Sequence, residues 1–301
     1  MHPGQLHVSA EQAAALVAEQ LPQWSGRAVR PVTSHGTVHQ LYRLGDDLVL
    51  RFPLNPGDVE ETRAWLRAEA DAARSLLGRL PVPSSEPVAL GEPGQGYPLP
   101  WVVYGWLPGE VPTRGSVALA RDLAEVVRAL RGIDTGGRRF AGAGRGGVLA
   151  AADEDVAAYL DDADGMIDTD ALRRLWSRLS RTPRRSEDVW THGDLMPGNL
   201  LVEEGRLAGV IDVGGAGPAD PALDLQPAWN LLDDPARAVF RHAVGVDDDE
   251  WDRGKAWSLA QAIGCLAYYR VTNPPMSETA RRTLDALLAD ESTAPRRSIP
   301  S

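Results

Sequence analysis

The sequence predicts an α+β chain of two lobes, a small antiparallel-sheet lobe with one long helix and then a larger, mostly helical lobe. Three observations carry this reading. Short strand-like runs crowd the N-terminal third, and helical apolar periodicity takes over from Ser116 onward. Between them lies "WVVYGWLPGE", a strongly apolar strand stopped by Pro108-Gly109. The lobes are expected at residues 1–107 and 108–301. A chain of 301 residues with 43% hydrophobic content can bury cores in both.

Taken in order, Ser9 with Gln12 reads as a capping box ahead of the apolar stripe Ala13, Leu16 and Val17, and Pro22 ends that helix. "RAVRPV", "QLYRLGDD" and "LVLRFP" read as three strands, the last two joined through Gly45-Asp46-Asp47. A long helix follows over Val59–Leu77, then a strand over Val88–Leu90 and the Trp101–Trp106 strand. Beyond these, a helix is expected over Ser116–Arg131. The run "GGRRFAGAGRGGVLAAADED" reads as a Gly-rich linker: it follows no strand and lacks the Gly-Lys-Ser/Thr ending of a phosphate loop. Further helices are expected over Glu154–Asp162, Asp170–Arg181, Pro221–Leu232, Pro235–Val244, Glu250–Tyr269 and Ser277–Ala289, before a tail "STAPRRSIPS".

A net charge of −11 argues against a nucleic-acid binder and is compatible with a cationic ligand. The one cysteine, Cys265, excludes an internal disulfide and lies in the apolar "LAQAIGCLAYY", the setting of an inert thiol. Neither a signal peptide nor a membrane span is apparent, so a cytoplasmic protein with no membrane partner is expected.

The chemistry gathers in "THGDLMPGNLLVEEGRLAGVIDVGGAGPADPALDL", residues 191–225. "NLLV" and "LAGVI" read as a hairpin around a polar turn. Asn199 enters its first strand and Asp212 leaves its second, so antiparallel pairing brings both to one end, with Asp194 on the loop before them. Convergent Asp and Asn oxygens suit Mg²⁺, which takes one or two carboxylates together with phosphate oxygens and water. A further carboxylate held off the metal can orient a hydroxyl, the layout of phosphoryl transfer.

"HGDLMPGN", followed by "IDVG" and "ADPALDL", resembles the aminoglycoside phosphotransferase family, within the protein-kinase-like fold, and the resemblance covers nearly the whole chain. It implies that Asp194 is the catalytic base, that Asn199 and Asp212 hold Mg²⁺, and that His192 supports the loop. The family places a cation on the third strand. Here that residue is Arg51, because the only lysine, Lys255, falls among the C-terminal helices. Glu69 matches the helix glutamate that pairs with this cation, ahead of Glu60 and Glu61. "TSHGTVHQL" corresponds to the phosphate-covering loop, with Ser34, Gly36 and Thr37 as donors, and "YGWLPG" offers backbone groups of Gly105 and Leu107 to the base. Asp220 and Asp224 read as structural supports of the catalytic loop and the following helix. The sequence departs from the common pattern at Val213 and at Pro218-Ala219 without losing a catalytic group. The implied activity is transfer of the γ-phosphoryl of ATP or GTP to a hydroxyl of a small molecule, first an aminoglycoside. A macrolide or a metabolite alcohol, or a nucleotide-binding pseudokinase module, are the alternatives. No acceptor residue is assigned; the "LLDDPAR" and "VGVDDDEW" clusters suit a polyamine, but also helix capping.

Overall fold

The capping box at Ser9 forms as its sequence signal requires: Ser9 Oγ accepts the Gln12 N–H, and the Gln12 side chain accepts the Ser9 N–H, opening helix α1 (Ala10–Gln20). The computed structural model describes residues 4–33, 36–142 and 144–293, so Ser34 and most of the expected tail, 294–301, lie outside the described residues. The chain divides into two compact units, Met1–Pro112 with Gly198–Gly217, and Thr113–Pro197 with Pro218–Ser301. The expected single cut after Leu107 differs from this division: the first unit runs on to Pro112 and also takes in the hairpin.

In the first unit, strands β1 (Val29–Pro31), β2 (His39–Leu44), β3 (Leu48–Pro53), β4 (Pro87–Gly91) and β5 (Trp101–Gly105) form one antiparallel sheet in the order β1-β2-β3-β5-β4. Strand alternation sorts β3. Leu50 and Phe52 are fully buried in a cluster with Leu16 and Val17 of α1, while Arg51 between them projects from the opposite face. Phe52 stacks on Trp101 at 5.1 Å and meets Tyr97 edge-on at 5.2 Å. Trp101 is therefore a core residue and not a ligand stacker. Gly91 must be glycine because a Cβ would fall 2.1 Å from the Trp101 ring.

Helix α2 (Val59–Leu76) begins at Asp58, whose carboxylate accepts the Glu60 and Glu61 N–H groups. Such a cap contributes about 1 kcal/mol. Its apolar stripe buries Leu66, Ala70, Ala73 and Leu76. The same unit holds the hairpin of β7 (Leu200–Glu203) and β8 (Arg206–Val210). Its two-residue turn has Glu204 and Gly205 at φ 51° and 76°, matching the twist of the flanking strands.

The second unit is helical: α3 (Val117–Arg131), α4 (Asp153–Asp162), α5 (Thr169–Leu179), α6 (Pro227–Asn230), α7 (Asp234–Val244), α8 (Asp248–Tyr268) and α9 (Pro274–Thr293), with a short strand β6 (Val189–Thr191) leading into the loop that carries His192 and Asp194. One helix is not formed as expected. The Pro221–Leu232 segment is a 3₁₀ turn at Pro221–Leu225 followed by the four-residue α6, because Pro227 cannot donate to a continuing helix. Helix α8 is the central element, with Trp257, Leu259, Ile263 and Leu266 buried. Each such side chain contributes roughly 1.5–3 kcal/mol by leaving water. Gly254 lets Leu225 approach to a position 2.8 Å from where a Cβ would stand. The lone lysine is structural: Lys255 is buried and its Nζ lies 2.7 Å from Asp290 and 3.1 Å from Glu291.

Candidate active site

The hairpin in the first unit delivers Asn199 and Asp212 to the same end. Leu200 faces Val210 in the ladder, and the Ile211 N–H donates to the Asn199 carbonyl at 2.9 Å, so Asn199 sits opposite the residue before Asp212. Asp212 leaves the strand with φ 59° and ψ 42°, a left-handed conformation that Asp tolerates better than most residues. Gly214 follows, and a Cβ there would stand 2.8 Å from Glu69 Cβ, so this glycine brings the Asp212 turn hard against α2.

Arg51 reaches into that corner. Its Nη2 donates to Asp212 Oδ1 at 2.6 Å, and the arginine side chain is 13% exposed against 48% for the aspartate. Burial works against the Arg51 cation, but Asp212 and then Glu69 outweigh it and hold its pKa above the ordinary range. The guanidinium also covers the Tyr104 ring at 5.2 Å. The expected Arg51–Glu69 pair is not formed: Arg51 closes on Asp212, and Glu69 Oε2 is buried with no hydrogen-bond partner. Glu69 still lies in the field of Arg51. Its carboxyl is raised by burial, with Arg51 opposing the rise and Asp212 adding to it.

His39, a neighbour that sequence reasoning missed, completes the corner. Its Nδ1 is 3.2 Å from Arg51 Nη2, and its ring stacks on Trp65 at 5.3 Å. A guanidinium only donates, so Nδ1 is the acceptor and the proton belongs on Nε2. Burial first, then Arg51, push His39 down to about 3, with Asp212 opposing; the imidazole is neutral.

Of the other expected nucleotide contacts, Gly36 is exposed and Thr37 half-buried in the β1–β2 turn. The Gly105 N–H is already donated to the Glu86 carbonyl at 2.8 Å and the Trp106 N–H to Asp47 at 2.8 Å. Leu107 follows them, half-buried at the end of the connector.

The second unit builds the loop carrying Asp194 around a buried carboxylate. Asp224, 1% exposed, accepts the His192 N–H at 2.8 Å and the Gly193 N–H at 2.9 Å. Burial raises its pKa, and His192 together with the two N–H groups opposes the rise. His192 Nδ1 in turn accepts the Asp194 N–H at 3.2 Å. Asp220 works one step back. It accepts the Ala222 N–H at 3.2 Å and pairs with Arg253 and with Trp257 Nε1, the latter at 2.7 Å.

Asp194 is 39% exposed, and two side chains converge on its Oδ1: Gln261 Nε2 at 2.6 Å and Arg145 Nη2 at 3.1 Å. Neither stood out in the sequence. Arg145 comes from the Gly-rich run read as a linker, and the structure corrects that reading. The Gly146 carbonyl accepts the Asp220 N–H at 2.8 Å, and a Cβ on Gly146 would stand 2.8 Å from Ala219 Cβ. Gly146 and Gly147 let the segment dock closely, with a Cβ on Gly147 falling 2.8 Å from the Phe140 ring. Beside Gln261, a cavity is lined by Met196, Gln226, Asn230, Ser258 and Cys265, with no carboxylate in its wall. Burial pushes the Cys265 thiol up to about 11, with Arg145 opposing and Asp194 adding, which keeps it inert.

The acidic clusters do structural work. Asp233 and Asp247 cap α7 and α8, Asp234 pairs with Arg237, Asp248 with Arg241, Asp249 with Arg185 and Glu250 with Arg131.

Asn199 and Asp212 also fit a magnesium ion by their chemistry. They are two hard oxygen donors at one hairpin end, and no group of three or more metal-binding side chains occurs among the described residues. Two such donors would suit an ion that takes its remaining ligands from phosphate oxygens and water.

The antiparallel sheet with its helix and the helical second unit have the protein-kinase-like fold. A model of the phosphotransferase enzyme family matches residues 29–257, and the chain belongs to that family. An aminoglycoside 3'-phosphotransferase of Streptomyces fradiae is 31% identical over 218 residues, 65% of this chain and 71% of that protein. One of Escherichia coli is 40% identical over 76 residues, 25% of this chain, and the match spans only 28% of that protein's length. Among solved structures, a GDP complex of an aminoglycoside 2'-phosphotransferase superposes with a TM-score of 0.67 at 17% identity, covering 94% of this chain and 100% of that one. A macrolide 2'-phosphotransferase from Brachybacterium faecium gives a TM-score of 0.62 at 22% identity, covering 92% and 97%.

Proposed function

We propose that this protein transfers the γ-phosphoryl group of ATP or GTP to a hydroxyl of an aminoglycoside. The observation that carries the reading is the placement of Asp194: a half-exposed carboxylate on a loop pinned by the buried Asp224, five residues before Asn199 in the chain. In this reading the first unit binds nucleotide. Arg51, the Gly36-Thr37 turn with Ser34, and the backbone of Gly105 and Leu107 contact it, and Asn199 and Asp212 hold Mg²⁺. Held by Asn199 and Asp212, such an ion would neutralise charge on the nucleotide phosphates. Asp194 orients the acceptor hydroxyl and takes its proton, and most of the acceleration comes from position and charge. His192, Asp220 and Glu69 support these groups. Such an enzyme would use the nucleotide pool of the cytoplasm; no described helix is long and apolar enough to cross a membrane.

The Streptomyces fradiae relative supports an aminoglycoside acceptor. Retention of Asp194, Asn199 and Asp212 argues against an inactive module. The test is Mg²⁺-dependent phosphorylation of an aminoglycoside and a macrolide panel by the wild type and Asp194→Asn. The expected result is transfer to an aminoglycoside and a fall of about 10³-fold or more in kcat in the folded variant. Unchanged turnover in Asp194→Asn would remove the assignment.

A further inference from the structure

We infer that Arg145 is a catalytic residue that binds the phosphoryl group in transit, an arginine supplied by the chain's own Gly-rich segment. The inference rests on Asp194 being the group that orients the acceptor hydroxyl. As the acceptor oxygen bonds to the γ-phosphorus, the bond to the β–γ bridging oxygen breaks, its electron pair leaves on the nucleoside diphosphate, and the hydroxyl proton passes to Asp194. The reacting oxygen must therefore lie within hydrogen-bond reach of the Asp194 carboxylate. A donor on that carboxylate stands next to the equatorial oxygens of the transferred group, where negative charge accumulates.

Arg145 occupies that place. Its Nη2 is 3.1 Å from Asp194 Oδ1, and its Nη1 is buried with no hydrogen-bond partner. One guanidinium thus has one nitrogen on the base and another buried beside it with nothing to donate to. A planar fork of this kind matches phosphoryl oxygens, which accept from two nitrogens at once.

The backbone carrying Arg145 is held for the purpose. Gly146, at φ 108°, packs where a Cβ would stand 2.8 Å from Ala219 Cβ and 3.1 Å from a Leu223 methyl. A Cβ on Gly147 would stand 2.8 Å from the Phe140 ring. The Gly146 carbonyl accepts from Asp220, whose carboxylate is locked by Arg253 and Trp257. Gln261, from α8, fixes the same Asp194 oxygen at 2.6 Å, so Arg145 can turn from the base to the phosphoryl group without releasing the base.

Two measurements on the full-length Arg145→Ala and Arg145→Lys proteins test this. The first is the affinity of each for Mg–ADP with aluminium fluoride, which stands in for the transferred group and needs no acceptor. Arg145→Ala is expected to weaken that complex at least about tenfold while Mg–ADP alone binds within about threefold of wild type. Arg145→Lys should recover part of the loss. The second is turnover with the acceptor panel, where Arg145→Ala should lower kcat by about 10²-fold or more and leave the nucleotide KM nearly unchanged. Equal aluminium fluoride affinity in wild type and Arg145→Ala overturns the inference. If the wild type phosphorylates nothing on the panel, the proposed acceptor falls, and the aluminium fluoride measurement still decides the role of Arg145.

Discussion

Arg51 and Asp212 form one ion pair at 2.6 Å, joining the cation of the third strand to the carboxylate at the end of the hairpin. Arg51 is buried, Asp212 is half-exposed, and the nearby Glu69 carries a buried oxygen without a partner. Arg51 is held by Asp212 at the end of the hairpin and not by Glu69 on the helix.

Arg51→Ala is expected to raise the nucleotide KM by about 10- to 100-fold, the equivalent of one charged hydrogen bond of about 1.5–3 kcal/mol. Arg51→Lys should recover only part of it, since an ammonium lacks the fork. Nucleotide titration of the three proteins checks this, and equal affinities would show that Arg51 does not meet the phosphates.

His39 makes stability depend on pH. Its folded pKa is about 3 against an ordinary 6.5, so between those values the unfolded chain binds the proton and the folded chain does not. Stability from this group is present above 6.5 and is lost as pH falls through that window, at up to about 1.4 kcal/mol per pH unit. Urea unfolding of wild type and His39→Gln across pH 4–7 should show curves that diverge on acidification; parallel curves would falsify the assignment of a buried neutral imidazole.

Removing Asp224 strands two backbone donors. Asp224→Ala leaves the His192 and Gly193 N–H groups without their acceptor, at about 1–3 kcal/mol each. The expected outcome is a lower denaturation midpoint together with a large loss of kcat, because the loop that carries Asp194 loses its anchor. Asp224→Asn, which keeps one acceptor oxygen, should fall between the two. A fully active Asp224→Ala protein would rule out the anchor.

Gly214 tests the contact between the Asp212 turn and α2. A methyl there collides with Glu69 Cβ at 2.8 Å, so Gly214→Ala should destabilise the protein by about 1–3 kcal/mol and weaken nucleotide binding. Thermal unfolding and nucleotide titration report the two effects separately. No change in either would mean that the approach is slack.

Much of this was legible in the residues because the signals are local. The Ser9–Gln12 capping box, the Gly45-Asp46-Asp47 turn, the apolar stripe of α2 and the two strands around Glu204-Gly205 each follow from a few neighbours and a fixed periodicity. Asn199 and Asp212 could be placed together for the same reason: an antiparallel hairpin brings its two ends side by side whatever surrounds it. The Pro221–Leu232 segment shows the limit, since apolar content suggested one helix where Pro227 divides two short turns.

What the sequence by itself determined is the strand and helix order, the hairpin with Asn199 and Asp212 at one end, and the loop carrying Asp194. What only the tertiary structure decided is which charged group meets which. Arg51 takes Asp212 instead of Glu69, Asp224 holds the catalytic loop, and the acidic clusters go to caps and arginines. Arg145 and Gln261 reach Asp194 from 49 and 67 residues away in the chain. The physical reason is that an ion pair or a buried hydrogen bond depends on distances of a few ångströms between distant segments. No periodicity or spacing records such distances until the cores have packed.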